Sequence, residues 1–186
     1  ITGITKFTQI SLFSTLNTLV NISFEDSLAA VCGITNQELL FYFQKEIAML
    51  SEKCKLSEAD TIYEMKSLYD GYHFAPNMLN VYNPYSVLSA FSRGKLNSYW
   101  IASGSNEMLF KILNKFAKDI PKLDNCLIDA DYLEESDVNM IDPKLFLYQA
   151  GYLTIKAVDG DMYTLGYPNR EAKDMIEMLS QPVRNK

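Results

Sequence analysis

The stretch from Tyr69 to Gly104 constrains this chain most. It runs Tyr69-Asp70-Gly71-Tyr72-His73-Phe74-Ala75-Pro76, then Val81-Tyr82-Asn83-Pro84-Tyr85-Ser86, then Tyr99-Trp100-Ile101-Ala102-Ser103-Gly104. Five of the twelve tyrosines, the only Trp and the only His fall inside it. Aromatic side chains bury the most area per residue, and the polar tips of Tyr and Trp need partners once buried. Asp70-Gly71 marks a tight turn, because Gly accepts the positive φ that such turns require. Asn83-Pro84 marks a helix start, with Asn capping free amides and Pro preset for the first helical position. The stretch therefore predicts a rigid, aromatic-rich junction. Trp100, Tyr72 and Phe74 should be largely buried there, with Asp70 or His73 hydrogen-bonded to local backbone and not lining a cleft.

The flanking segments read mainly as helix. Leu12, Phe13, Leu16, Leu19 and Val20 recur at helical spacing and predict an amphipathic helix over 9–19. Asp26 is positioned to cap a short helix through Val31, ended by Gly33. Thr35 with Glu38 forms a capping-box pattern and predicts one long helix to Cys54, with Leu39, Leu40, Phe43, Ile47 and Leu50 as its core stripe. Ser57 with Asp60 starts another, carrying Ile62, Met65 and Leu68 to the junction. Beyond it, Ser105 caps a helix with Met108, Leu109, Ile112, Leu113 and Phe116 on one face, stopped by Pro121.

Residues 124–142 are acidic and irregular, with one short helix expected around 131–135, and read as a connection between two units. Asp142-Pro143 opens a helix closed by Gly151. Tyr152–Val158 and Met162–Tyr167 are two β-rich runs around Asp159-Gly160, a strong hairpin signal. A last helix covers 170–179. The predicted fold class is mainly α, with a helical lid-like body over 1–130. A small winged-helix-like unit, built as helix–hairpin–helix, occupies 131–186.

Charge and cysteines narrow the function. A net charge of −6 argues against a nucleic-acid partner, which needs a basic face to neutralise phosphates. Three well-separated cysteines, Cys32, Cys54 and Cys126, lack metal-ligand spacing and suit a reduced, cytoplasmic protein. No apolar run approaches the ~18 residues of a membrane span, so no membrane partner is expected. Ile1-Thr2-Gly3-Ile4 reads as the end of a strand entered midway, which places the natural start upstream.

Several motifs together resemble one family. They are Thr2-Gly3-Ile4-Thr5-Lys6-Phe7, Leu12-Phe13-Ser14-Thr15-Leu16-Asn17-Thr18-Leu19, Tyr69-Asp70-Gly71-Tyr72-His73-Phe74, Tyr82-Asn83-Pro84-Tyr85-Ser86, Tyr99-Trp100 to Gly104, and Leu147-Tyr148-Gln149-Ala150-Gly151-Tyr152-Leu153-Thr154-Ile155. In order, and over nearly the whole chain, they resemble the AAA-ATPase-like family of anaerobic bacteria. In that family a P-loop ATPase region precedes a restriction-endonuclease-like nuclease domain.

The resemblance implies ATP and Mg2+ for the full-length protein and none for this piece, whose P-loop core would lie upstream and nuclease domain downstream. It makes Thr2 and Thr5 polar sensor candidates facing the γ-phosphate. Lys6 stands where relatives often carry Arg, and supplies charge without the bidentate fork. It also implies that the piece contributes sensor, lid and winged-helix parts and is not catalytic alone.

Plainer readings stand beside these. Asp70 and His73 on one turn form either an acid/base pair or a turn with its local contacts, and no nucleophile or metal stands at a recognisable spacing. Trp100 and the tyrosines either pack the junction or stack on a nucleobase. Thr2, Thr5 and Lys6 are either phosphate-proximal or an ordinary strand end. The C-terminal unit either touches DNA or packs against the rest. Lys144, Lys156, Arg170, Lys173, Arg184 and Lys186 are offset there by Asp142, Asp159, Asp161, Glu171, Asp174 and Glu177. No catalytic residue and no metal ligand is assigned. The alternative function is a non-catalytic protein- or DNA-binding module that keeps the ATPase scaffold.

Overall fold

The computed structural model describes residues 22, 24–100, 122–134 and 142–180. Thr2, Thr5, Lys6 and Gly104 lie outside the described residues, as do the helices expected over 9–19 and after Ser105.

Among the described residues the chain is mostly helical, with two small sheets. A single 3-10 turn at Asp26–Leu28 stands where the first short helix was expected. Asp26 does not cap it. Its carboxylate instead accepts from the Asn77 amide at 2.9 Å, tying the start of the described chain to the junction loop.

β1 (Ile34–Thr35) leads into α1 (Asn36–Tyr42). The predicted capping box is present: the Glu38 amide donates to the Thr35 hydroxyl and the Thr35 amide to the Glu38 carboxylate. The predicted long helix is two. It breaks at Phe43, whose backbone leaves helical values (φ −114°, ψ 24°), and α2 (Gln44–Cys54) follows. No proline sits there. The Phe43 ring stacks on Phe91 at 5.4 Å, and the break accompanies that contact. The core stripe is narrower than predicted. Leu39, Ile47 and Leu50 are buried, whereas Leu40 turns to solvent beside Phe41 and Tyr42.

α3 (Glu58–Tyr69) is capped by the Ser57 hydroxyl, which accepts from the Asp60 amide at 3.1 Å. β2 (Val81–Tyr82) pairs antiparallel with β1, and α4 (Pro84–Arg93) starts at Asn83-Pro84 as predicted. The Asn83 side chain accepts from the Tyr85 amide at 3.0 Å. Leu39, Ile47, Leu50, Met65, Val87 and Ala90 form the centre of a first core between these helices. Each fully buried large aliphatic there contributes about 1.5–3 kcal/mol.

The second core lies under a three-stranded antiparallel sheet of β3 (Cys126–Asp129), β4 (Thr154–Asp159) and β5 (Met162–Gly166), in the order β3-β5-β4. The hairpin is as predicted, with Asp159 opposite Met162 and Gly160 (φ 56°) in the two-residue loop. A register shift between Ile155 and Ala157 places a bulge at Lys156.

β3 corrects the reading of the acidic connection. It pairs with β5 from Cys126–Leu165 to Asp129–Met162, burying Cys126 and Ile128 and exposing Leu127 and Asp129. The sheet thus draws in residues on the N-terminal side of position 130. α5 (Ala130–Glu134) follows directly. α6 (Pro143–Gln149) is capped by Asp142, and α7 (Arg170–Ser180) closes the described chain. Leu133, Leu147, Leu153, Ile155, Leu165 and Met175 are almost completely enclosed in this core.

Candidate functional site

The predicted junction becomes the seam between the two cores. α3 ends at Tyr69, whose hydroxyl donates to the Asn97 carbonyl at 2.8 Å and accepts from the Asn97 amide at 3.1 Å. Asp70 then leaves the helix in extended conformation, and Gly71 turns with φ 94°. Only glycine fits: the Pro168 carbonyl oxygen occupies the place a Cβ would take. The chain is extended at Tyr72, which exchanges backbone hydrogen bonds with Val81 at 3.1 and 3.2 Å, while the Asn83 amide donates to the Tyr69 carbonyl. Tyr69, Asp70, Gly71, Tyr72, His73, Asn83, Pro84 and Trp100 are thereby brought to one region.

His73 reaches across the seam, not to local backbone. Its amide donates to the Thr154 hydroxyl at 2.8 Å, and that hydroxyl donates back to the His73 carbonyl at 3.0 Å. Its Nδ1 lies 2.7 Å from the Ile155 carbonyl, which can only accept, so Nδ1 carries the proton. Asp70 is 5% exposed, and among the described residues its Oδ1 has no hydrogen-bond partner. Its backbone carbonyl accepts from the Asn169 side chain at 2.9 Å. Lys156 is half-buried, with its ammonium 3.4 Å from the Pro168 carbonyl. Burial pushes the Lys156 pKa down, while Asp124 and Asp70 pull it back up.

Tyr72 is buried, and its phenol is pushed above the usual tyrosine range, first by burial and then by the negative charge of Glu171. Phe74 and Trp100 are only half-buried, less than expected. Trp100 meets Tyr85 edge-on at 6.3 Å, and its ring comes within 3.8 Å of where a Gly151 Cβ would stand.

Glu171 is the residue that sequence reasoning missed. It was counted only as a surface charge, yet it is 1% exposed. It sits in the first turn of α7, and its carboxylate accepts from the Ser86 hydroxyl at 2.7 Å, the Trp100 amide at 2.9 Å and the Tyr99 amide. The roles of Thr154 and Ser86 were missed as well. Pro168-Asn169 before a helix is a start signal legible in the sequence, and the Asn169 side chain caps α7 through the Ala172 amide at 3.1 Å.

Chemically the seam is committed to itself. Ser86 and Glu171 are paired but closed off from solvent, and one His73 nitrogen is spent on backbone. Among the described residues no three His, Cys, Asp or Glu side chains cluster to hold a metal ion. Nor is any helix there long and apolar enough to cross a membrane.

Comparison with known proteins adds one relative, described as "Uncharacterized protein in vnfD 5'region" from Azotobacter chroococcum mcd 1. It is 30% identical over 177 residues, covering 93% of this chain but 32% of the relative. The chain thus spans about a third of the length of the relative it matches. No family profile matches the chain, and no solved structure does.

Proposed function

We propose that this chain is the sensor, lid and winged-helix portion of a longer AAA-ATPase-like, ATP- and Mg2+-binding cytoplasmic protein, and that it does not turn over ATP alone. The observation that carries this reading is the C-terminal order strand, helix, helix, hairpin, with sheet order β3-β5-β4. A winged helix has this arrangement, its first strand lying beside the last. The much greater length of the relative also supports a larger parent protein. Three unpaired cysteines fit a reducing compartment.

The unit is suited to packing and not to reading DNA. α6, in the place of a recognition helix, buries Leu145, Phe146 and Leu147, and the hairpin tip presents Asp159 and Asp161 to solvent. Both features oppose docking on phosphates. A protein-binding module is the second reading, favoured by the exposed Leu40, Phe41 and Tyr42 on α1.

Phosphoryl transfer depends on a phosphate cradle, its Lys and a magnesium carboxylate, and none of the three is recognisable in this sequence. Calorimetric titration of the chain with ATP-Mg should give no saturable heat at submillimolar nucleotide. In the full-length protein, Thr5→Ala and Lys6→Ala should slow ATP hydrolysis. A micromolar isotherm with the chain alone, or unchanged hydrolysis in both full-length variants, would overturn the assignment.

A further inference from the structure

We propose that the helical body carries an oxyanion cradle, made by the Ser86 hydroxyl and the Tyr99 and Trp100 amides. Glu171 fills it in cis, and a free carboxylate takes its place when Glu171 is withdrawn. This rests on the hydrogen-bond geometry and not on the family reading above.

All three donors belong to the helical body, and the acceptor belongs to α7, 71 to 85 residues further along the chain. Both carboxylate oxygens are used: Oε2 by the Ser86 hydroxyl, Oε1 by the two successive backbone amides. Consecutive amides aimed at one point form an anion-binding concavity independent of any cationic side chain. Among the described residues no Lys, Arg or His forms an ion pair or hydrogen bond with Glu171; the Arg170 beside it pairs with Glu64 instead.

Both residues of the Ser86–Glu171 pair stand in first helical turns, where a helix dipole favours negative charge. Glu171 lies in the first turn of the 11-residue α7, and Ser86 in the first turn of the 10-residue α4. The phenols of Tyr69, Tyr72 and Tyr99 are raised first by burial and further by the charge of Glu171. The anion is thus held by directed donors and is 1% exposed. Such a site is built for a planar, two-oxygen acceptor.

Chemical rescue tests this. Glu171→Ala removes the carboxylate and leaves its donors and space. Thermal melts of this variant, the parent and Glu171→Ala/Ser86→Ala are compared in sodium chloride and in sodium formate at equal ionic strength. Formate should raise the melting temperature of Glu171→Ala saturably, by about 3–5 °C at concentrations well above its Kd. The parent should not respond, because its cradle is full, and removal of the Ser86 hydroxyl should weaken the response. If Glu171→Ala is unfolded in chloride, recovery of its native circular dichroism in formate supports the cradle. An equal formate shift in the parent, no shift in the variant, or a variant unfolded in both salts overturns it.

Discussion

Thr154→Val isolates the bond between the two cores. Thr154 is 1% exposed, and its hydroxyl both accepts from the His73 amide and donates to the His73 carbonyl. Valine keeps the shape and suits a strand, so the change deletes two hydrogen bonds and little else. Each leaves a buried backbone group of His73 without its partner, at about 1–3 kcal/mol apiece. Burying a methyl in place of the hydroxyl returns about 1 kcal/mol. The net loss should be about 1–5 kcal/mol, centred near 3 kcal/mol, a large share of the ~5–15 kcal/mol that holds a domain folded. For a chain of this size that is a melting-temperature drop of roughly 6–12 °C. Thr154→Ser is the control: it keeps both bonds and loses one methyl, costing about 1 kcal/mol. Urea unfolding followed by circular dichroism measures both variants. The reasoning fails if Thr154→Val lies within about 0.5 kcal/mol of the parent, or if the serine variant is the less stable of the two.

Leu39→Ala should cost about 3–5 kcal/mol and Leu40→Ala under about 1 kcal/mol by the same assay, since the first is fully buried and the second exposed. Gly71→Ala should destabilise by at least about 1 kcal/mol through its positive φ and the Pro168 carbonyl against it; a neutral result would mean that the loop relaxes freely. Alkali should unfold the chain cooperatively. Burial raises the phenols of Tyr69, Tyr72, Tyr82 and Tyr148, and raises Tyr167 to about 12. The folded state then holds these protons when the unfolded state has lost them. The sign follows: their contribution is intact below the unfolded pKa near 10 and falls above it, by about 1.4 kcal/mol per pH unit for the enclosed Tyr72. Tyrosinate absorbance should therefore rise in one step with loss of helix, and a gradual rise in a chain that stays folded would contradict this.

What the sequence disclosed was what short-range chemistry decides. Thr35 with Glu38, Ser57 with Asp60, Asn83-Pro84 and Asp142-Pro143 each satisfy amides within three residues of themselves, and each caps the helix it announced. Gly160 sets the hairpin loop in the same local way. β3 was not legible. Its four residues are strand only because β5 offers an open edge to them, 33 to 39 residues further along. The break at Phe43 carries no Gly or Pro signal and accompanies a contact with Phe91 on another helix. At the junction the aromatic cluster and the Gly71 turn were readable. The partners of His73 were not, because Thr154 and Ile155 lie 81 and 82 residues away. Glu171 misled for the same reason: an acidic residue in a first helical turn looks like ordinary dipole matching, and only the fold reveals the donors beneath it.

The seam also explains how two separate cores keep one relative orientation. Apolar contact is present across it, for Phe24 and Met78 pack against the second core, but such contact is non-directional. Direction comes from the polar contacts. His73 fixes the junction loop to β4 at three atoms, Asn169 fixes the start of α7 to the Asp70 carbonyl, and Glu171 fixes the first turn of α7 to α4 and to Tyr99-Trp100. Each is satisfied in one geometry and leaves buried groups stranded in any other. A slide of α7 by a single residue would cost several unmade hydrogen bonds at once. Asp70 Oδ1 shows the complementary side: among the described residues it has no donor, and the contacts around it hold the arrangement nonetheless. Orientation is thus set by a few directional bonds laid over modest apolar contact.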